Sequence, residues 1–399
     1  MGQTSLNGDL VTHRLTRAEV DLTKLEHNYR YLRSRIDSRV KFIAVVKAEA
    51  YGHGAVETSR ALERLGADAF AVAIVEEGVA LREAGIGRPI IVFGGALPGR
   101  EELVLRHGLT PAIHSLDAVR RLSQAAQTGG VVAPYHLKVD TGMGRMGVDY
   151  RHLGSFLEQA VGLPAVKLEG VFTHLASADE DSSDYSALQL QRFRESLRAL
   201  DGRGVKVDMI HAANSAGLLF HPESWFDAVR PGLALYGVNP NSRRESCLLE
   251  PILSFKTCIP FLKQVPPNTP LGYGSTFVTQ RDSVVATIPV GYADGLNYQL
   301  SNRGAVIVRD RLAPIVGRIS MDSTLVDVTD VPEVTPGDEV ILIGQSQSAA
   351  ITAEQVAEQI GTIPYEILCS ISKRVPRVCI GDEGQAGAGQ EPYQDGAPR

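Results

Sequence analysis

The 399-residue chain is 44% hydrophobic and 22% charged, with a formal net charge of −6, which is ordinary for a globular protein of two domains or one large barrel with a smaller module. The mildly acidic balance argues against nucleic acid or an anionic membrane as partner. The opening MGQTSLNGDLVTHRLTRAEV has no apolar signal-peptide core, and no run approaches the roughly 18 apolar residues of a membrane helix, so a cytoplasmic protein is expected.

Residues 1–14 read as a loose N-terminal segment. From residue 15 to 238, eight β-rich runs alternate with helical patterns. They are VKFIAVVK (40–47), AFAVAI (69–74), PIIVFGG (89–95), LTPAIHS (109–115), YHLKVDTG (135–142), LEGVFTHLA (168–176), VDMIHAAN (207–214) and FDAVRPGLALYG (226–237). Helical stretches lie between them, for example AVETSRALERLG (55–66), VEEGVALREAG (75–85) and YSALQLQRFRESLRALDGRG (185–204). This repeat predicts an α/β protein with a parallel (β/α)8 TIM-like barrel; the rival is a doubly wound open sheet. NPNSRRES (239–246) reads as a linker. Closely spaced strands with Pro and Gly turns then predict a mostly antiparallel β C-terminal domain over 246–380, with one helix in TAEQVAEQIG (352–361). Residues 381–399 are rich in Gly, Gln and Pro and read as a disordered tail. Cys247, Cys258, Cys369 and Cys379 form no CxxC spacing and are expected to be reduced, buried thiols.

A barrel carries its chemistry at the C-terminal ends of its strands. There the first run ends in Lys47, the fifth in Lys138, Asp140 and Arg145, and the sixth in His174. The seventh ends in His211, Asn214 and Ser215, and the eighth carries Arg230, Pro231 and Gly232. A solvated strand end explains any one of these; five strands converging on one rim are harder to dismiss. Lys47 follows FIAVV, where burial would depress its ammonium and make a usable nucleophile, base or Schiff-base amine; the bland alternative is a surface lysine capping the strand. Small residues in AANSAG and RPGLA let backbone N–H groups approach a phosphate, with Ser215 and Tyr51 as further donors. GMGRMG (142–147) satisfies GxGxxG, but four β/α units precede it, which disfavours a dinucleotide site. No zinc-like His/Cys spacing occurs, and no metal is expected.

Nine motifs in order carry a resemblance: VVKAEAYGHG (45–54), LKVDTGMGRMG (137–147), THLASADE (173–180), HAANSAG (211–217), VRPGLALYG (229–237), GYGSTF (272–277), PVGYADG (289–295), GRISMD (317–322) and PYEILCSISKRVPR (364–377). Across about residues 15–380 the chain strongly resembles bacterial alanine racemases. The resemblance implies pyridoxal 5'-phosphate, held by Lys47 as an internal aldimine, and a cytoplasmic isomerase supplying D-alanine for peptidoglycan. It implies a phosphate cradle of Tyr51, Ser215, the backbone of Gly232 and Leu233, and Tyr365, with Asn214 also at the cofactor. Arg230 is implied to face the pyridine nitrogen, with His174 and His211 beside it. Arg145 is implied to orient the cofactor phenolate and substrate carboxylate, held by Lys138 as a carbamate. Tyr273 is implied as the second base and Tyr292, Met321 and Asp322 as pocket residues, all supplied by the partner subunit of a homodimer.

Two bases on opposite faces suit racemisation, because a single group cannot easily serve both faces of a fixed planar adduct. An arginine at the ring nitrogen cannot give up its proton, so the electron sink stays weak and the carbanion short-lived. That favours a racemase over a barrel decarboxylase or aldolase, which places a carboxylate there. A non-catalytic cofactor carrier lacks the β-domain. Glu49, Ser320 and Lys373 depart from the family pattern at positions where Asn or Asp, Cys and Tyr are commoner. They leave serine or a broader range of amino acids open as alternative substrates.

Overall fold

The computed structural model describes residues 14–180, 184–241 and 247–381. The expected loose start and tail therefore lie outside the described residues, apart from Arg14 and Gly381. The first strand, β1 (Arg17–Asp21), precedes the barrel. Seven barrel strands follow as β2 (Lys41–Val45), β3 (Ala69–Val72), β4 (Ile90–Val92), β5 (Thr110–Ile113), β6 (Ala133–Asp140), β8 (Val166–Phe172) and β9 (Met209–His211). The eighth is β10 (Ala228–Val229), and the two-residue β7 (Val148–Asp149) merely extends the end of β6. All barrel pairings are parallel, and β10 returns to β2, so the sheet closes. All eight strands fall within the eight expected runs, except that the longest, β6 and β8, begin two residues earlier.

Runs such as FIAV and AFAV are apolar without alternation because both faces of a barrel strand are covered. Parallel neighbours need crossover connections, which the amphipathic helices supply. The helix Ala55–Leu65, for example, buries Ala61 and Leu62 and stops at Gly66 in the left-handed region. The last run is strand only at Ala228–Val229; its remainder turns into a short 3-10 helix, Leu233–Tyr236, at the barrel mouth.

The second domain holds a mostly antiparallel sheet running Arg311–Pro314, Ala305–Val308, Glu339–Gln345, Leu253–Cys258, β1, Arg377–Ile380. Here the structure departs from the sequence reading. β1 pairs antiparallel with Leu253–Cys258 and parallel with Arg377–Ile380, so residues 17–21 belong to the second sheet and not to the barrel. A separate three-stranded sheet joins Phe261–Val265, Ser283–Ile288 and Thr324–Asp327. Leu233 and Val238 from the end of the barrel sit in the second domain's apolar core. Arg377 donates from Nε to the Gly52 carbonyl at 2.9 Å, tying the second domain to the segment after Lys47. The cysteines depart from the expected burial: Cys369 is exposed, and Cys247, Cys258 and Cys379 are half-buried.

Candidate active site

A cavity of about 620 Å³ opens at the C-terminal end of the barrel. Its lining includes Lys47, Tyr51, Lys138, Arg145, His174, Asn214, Ser215, Arg230, Gly232, Leu233 and Tyr365, so the barrel residues expected from the sequence converge. Tyr365 comes from the second domain's helix Pro364–Ser370, so both domains build this mouth.

Lys47 stands two residues past the end of β2 and begins an unusual turn. Ala48, Glu49, Ala50 and Tyr51 all have φ between 51° and 56°, a left-handed turn containing no glycine. Each such residue costs roughly 1–2 kcal/mol, so the surroundings must hold it. Glu77 does much of this: its Oε1 accepts from Ala48 N at 2.6 Å and its Oε2 from Ala73 N at 2.7 Å. Burial pulls the Lys47 ammonium below its ordinary range, the positive Arg145 adds to this, and Glu77 opposes it. Burial likewise lowers Lys138, helped by Arg145 and Arg230, to about 8. The cavity is thus a cluster of cations with desolvated amines, suited to an anionic ligand and to nucleophilic amine chemistry.

Arg230 is buried, and burial draws it down to about 9, still cationic at neutral pH. Its Nη1 donates to His211 Nδ1 at 2.8 Å, and its Nη2 to the carbonyls of Thr173 and Ala212, each at 2.9 Å. His174 Nδ1 lies 3.4 Å from Nη2. Burial, then the charge of Arg230, pushes both histidines far below the usual imidazole range, so both rings are neutral acceptors. His211 does not line the cavity; it lies inside the barrel behind Arg230, fully buried.

On the opposite wall Ser215 Oγ accepts from Gly232 N at 3.0 Å and Ala234 N at 3.2 Å. Asn214 caps the following helix by accepting from Gly217 N at 2.9 Å. A Cβ on Gly232 would stand 2.6 Å from the Tyr51 hydroxyl, so only glycine leaves that cradle open. The rings of Tyr51 and Tyr365 lie 5.7 Å apart, and burial raises both phenols, that of Tyr365 to about 12, so both are donors. Hydroxyls and backbone N–H groups gathered beside cations form a phosphate cradle, and the desolvated Lys47 is within the same cavity. These residues fit pyridoxal phosphate.

The remaining expected residues are elsewhere. Tyr273, Tyr292 and Met321 are exposed on the second domain, at 71%, 46% and 53%, and do not line the cavity of their own chain. Asp322 accepts from Arg374 at 2.6 Å, and Arg374 also bridges to the buried Asp294. Tyr292 N and Ala293 N donate to the carbonyls of Ser320 and Met321, each at 3.1 Å, so Tyr292 and Met321 form one surface unit. The family departures Glu49 and Lys373 pair with each other at 3.7 Å, both exposed and both off the cavity. GMGRMG is a turn held by Asp140, which accepts from Gly142 N and Gly144 N. Sequence reasoning missed Glu77, which carries no motif, and the aromatic residues Phe93 and Phe172, whose rings face the Arg230 guanidinium at 6.0 and 5.5 Å. Their only signal was a position at a strand end.

Comparison with known proteins agrees with this geometry. Residues 20–240 match the alanine racemase N-terminal domain family and residues 252–379 the C-terminal domain family. The alanine racemase of Syntrophobacter fumaroxidans is 46% identical over 89% of this chain and 95% of its own length. That of Halothermothrix orenii is 44% identical over 91% and 96%. The crystal structure of the Bacillus anthracis alanine racemase with bound L-Ala-P superposes with a TM-score of 0.88 at 37% identity, over 93% of this chain and 96% of that one. The Bartonella henselae enzyme, with covalently bound pyridoxal phosphate, gives 0.83 at 33% identity, over 92% and 99%. Through both of its domains, this chain belongs to the alanine racemase family of pyridoxal-phosphate-dependent isomerases.

Proposed function

We propose that this protein interconverts L- and D-alanine in a homodimer, with Lys47 of one subunit and Tyr273 of the partner subunit as the two bases. Bound pyridoxal phosphate supplies the electron sink that acidifies the substrate Cα–H. Lys47 would hold its aldehyde carbon and, once displaced by the substrate amine, take or return the Cα proton at Nζ. The depressed basicity that burial gives this amine brings it closer to the working pH. Tyr51, Tyr365, Ser215 and the Gly232–Leu233 backbone would bind the phosphate, and Asn214 would fix the turn beside it. Arg230 would present a permanent N–H donor to the ring nitrogen. Arg145 would bind the substrate carboxylate. Lys138, lowered to about 8, keeps enough neutral amine to accept carbon dioxide as a carbamate, which would turn a repelling cation into an anion facing Arg145.

The observation that carries the dimer is the exposure of Tyr273, a phenol with no access to the Lys47 cavity of its own chain. A phenol serves as base only when its phenolate is stabilised, and His174 and the substrate pocket of another copy would provide that setting. Tyr292, Met321 and Asp322 would line the substrate pocket from the same side. Alanine is favoured over serine or a broader range, because relatives 44% and 46% identical over most of the chain are alanine racemases. The product suits a cytoplasmic supply of D-alanine for peptidoglycan. Loss of optical rotation from L-alanine, with L-serine far slower, tests this. A protein that binds pyridoxal phosphate but leaves L-alanine unchanged contradicts it.

A further inference from the structure

The Arg230 contacts continue through the barrel to its far end. His211 Nε2 lies 2.9 Å from His136 Nδ1, and His136 Nε2 lies 3.7 Å from Glu169 Oε2. The direction of this chain follows from its chemistry. Arg230 can only donate, so His211 Nδ1 accepts. The single proton of neutral His211 is then on Nε2, and it is donated to His136 Nδ1. The proton of His136 is therefore on Nε2, aimed at a carboxylate that can only accept. The opposite order would strip His211 of both ring protons.

Three features build this arrangement. In the pairing of β6 with β8, Tyr135 stands opposite Leu168 and His136 opposite Gly170, so Glu169 is the extra residue of a β-bulge. Bulges re-aim side chains, and this one brings a carboxylate to a histidine that is 1% exposed. Next to it, a Cβ on Gly170 would stand 2.6–2.7 Å from three atoms of the His136 ring, so glycine clears the place for the imidazole. Phe172 stacks on His211 at 4.8 Å with 3° between the planes, which fixes that ring too.

We propose that Glu169 and His136 are positioning residues: Glu169 fixes the tautomer of His136, whose free Nδ1 then holds the His211 ring against Arg230 and so aims the guanidinium at the ring nitrogen of the cofactor. The inference rests on the function proposed above for the role of Arg230. The chain of contacts from Arg230 to Glu169 does not.

The test uses protein labelled with 15N-histidine, first without cofactor. The expected wild-type spectrum shows His211 and His136 both protonated at Nε2 alone. Glu169 is partly exposed at the end of the barrel, so Glu169→Leu and Glu169→Gln should fold. Glu169→Leu should populate the Nδ1–H tautomer of His136, which breaks its contact with His211. In the loaded enzyme it should shift the absorbance of the cofactor and lower kcat about tenfold with little change in KM, as expected when a charge-assisted hydrogen bond is weakened. Glu169→Gln keeps an acceptor oxygen and should retain the wild-type tautomer with a smaller loss in kcat. An unchanged His136 tautomer and unchanged cofactor spectrum in Glu169→Leu would overturn the proposal. A wild-type protein that shows the expected tautomers but does not racemise alanine would instead defeat the functional reading alone.

Discussion

The barrel cavity and the tyrosine face of the second domain are made by opposite means. Lys138 and Arg230 are 5% and 3% exposed, and Arg230 is fixed by two carbonyls and a histidine within the same chain. Tyr273, at 71% exposed, stands on a three-residue turn with solvent around it. The first region can shift the basicity of its amines without help, because the barrel itself removes water. The second cannot: an exposed phenol becomes a base only when another surface covers it. Exposed aromatic side chains are also what a subunit interface uses, and Tyr292 and Tyr298 lie on the same domain with rings 6.4 Å apart.

Substitutions can separate the two regions. The largest effect is expected for Lys47→Ala, which removes both cofactor anchor and base; racemisation should fall by at least about 10³-fold, measured by polarimetry, with loss of the yellow colour. Tyr273→Phe should lower the rate by about 10²–10⁴-fold and unequally in the two directions, yet keep the colour. Its melting temperature should move little, because the substitution removes one hydroxyl and keeps the ring. Gly232→Ala should weaken cofactor binding and cost roughly 1–3 kcal/mol of stability, since the added methyl meets Tyr51 at 2.6 Å.

The smallest effect concerns pH. Lys138 is lowered to about 8 from an ordinary 10.5, so between these values the unfolded chain holds a proton that the folded chain has released. Stability should therefore rise across that window as pH increases, and the burden is fully present below pH 8. Lys138→Met should flatten the rise in denaturant titrations. A curve unchanged by this substitution would contradict the assignment.

The barrel was legible because each strand is a short apolar run ending in a polar group, and because the helices between them carry their own stop signals. The strand RAEVD was not read from the sequence, and residues 17–21 were counted within the barrel span, because its partners, Leu253–Cys258 and Arg377–Ile380, are far along the chain and periodicity says nothing about distant pairing. The left-handed turn at AEAY was invisible, since no glycine announces it and the Glu77 carboxylate that holds it is a helix residue in sequence terms. His136 and Glu169 were hidden for a similar reason. One is inside an apolar strand, and the other owes its direction to a bulge that only the register reveals. The strand ends and motif order pointed to barrel residues that line one cavity, and the resemblance already implied that Tyr273 serves the partner subunit's site rather than the cavity of its own chain.

The central claim is that each working site combines one subunit's Lys47 with the partner subunit's Tyr273. Mixing Lys47→Ala and Tyr273→Phe subunits, unfolding and refolding them together, tests it most directly. Random pairing makes half the dimers hybrid, each with one intact site, so the mixture should recover about a quarter of wild-type activity although both parents are inactive. A mixture no more active than its parents would show that the two residues do not meet across an interface.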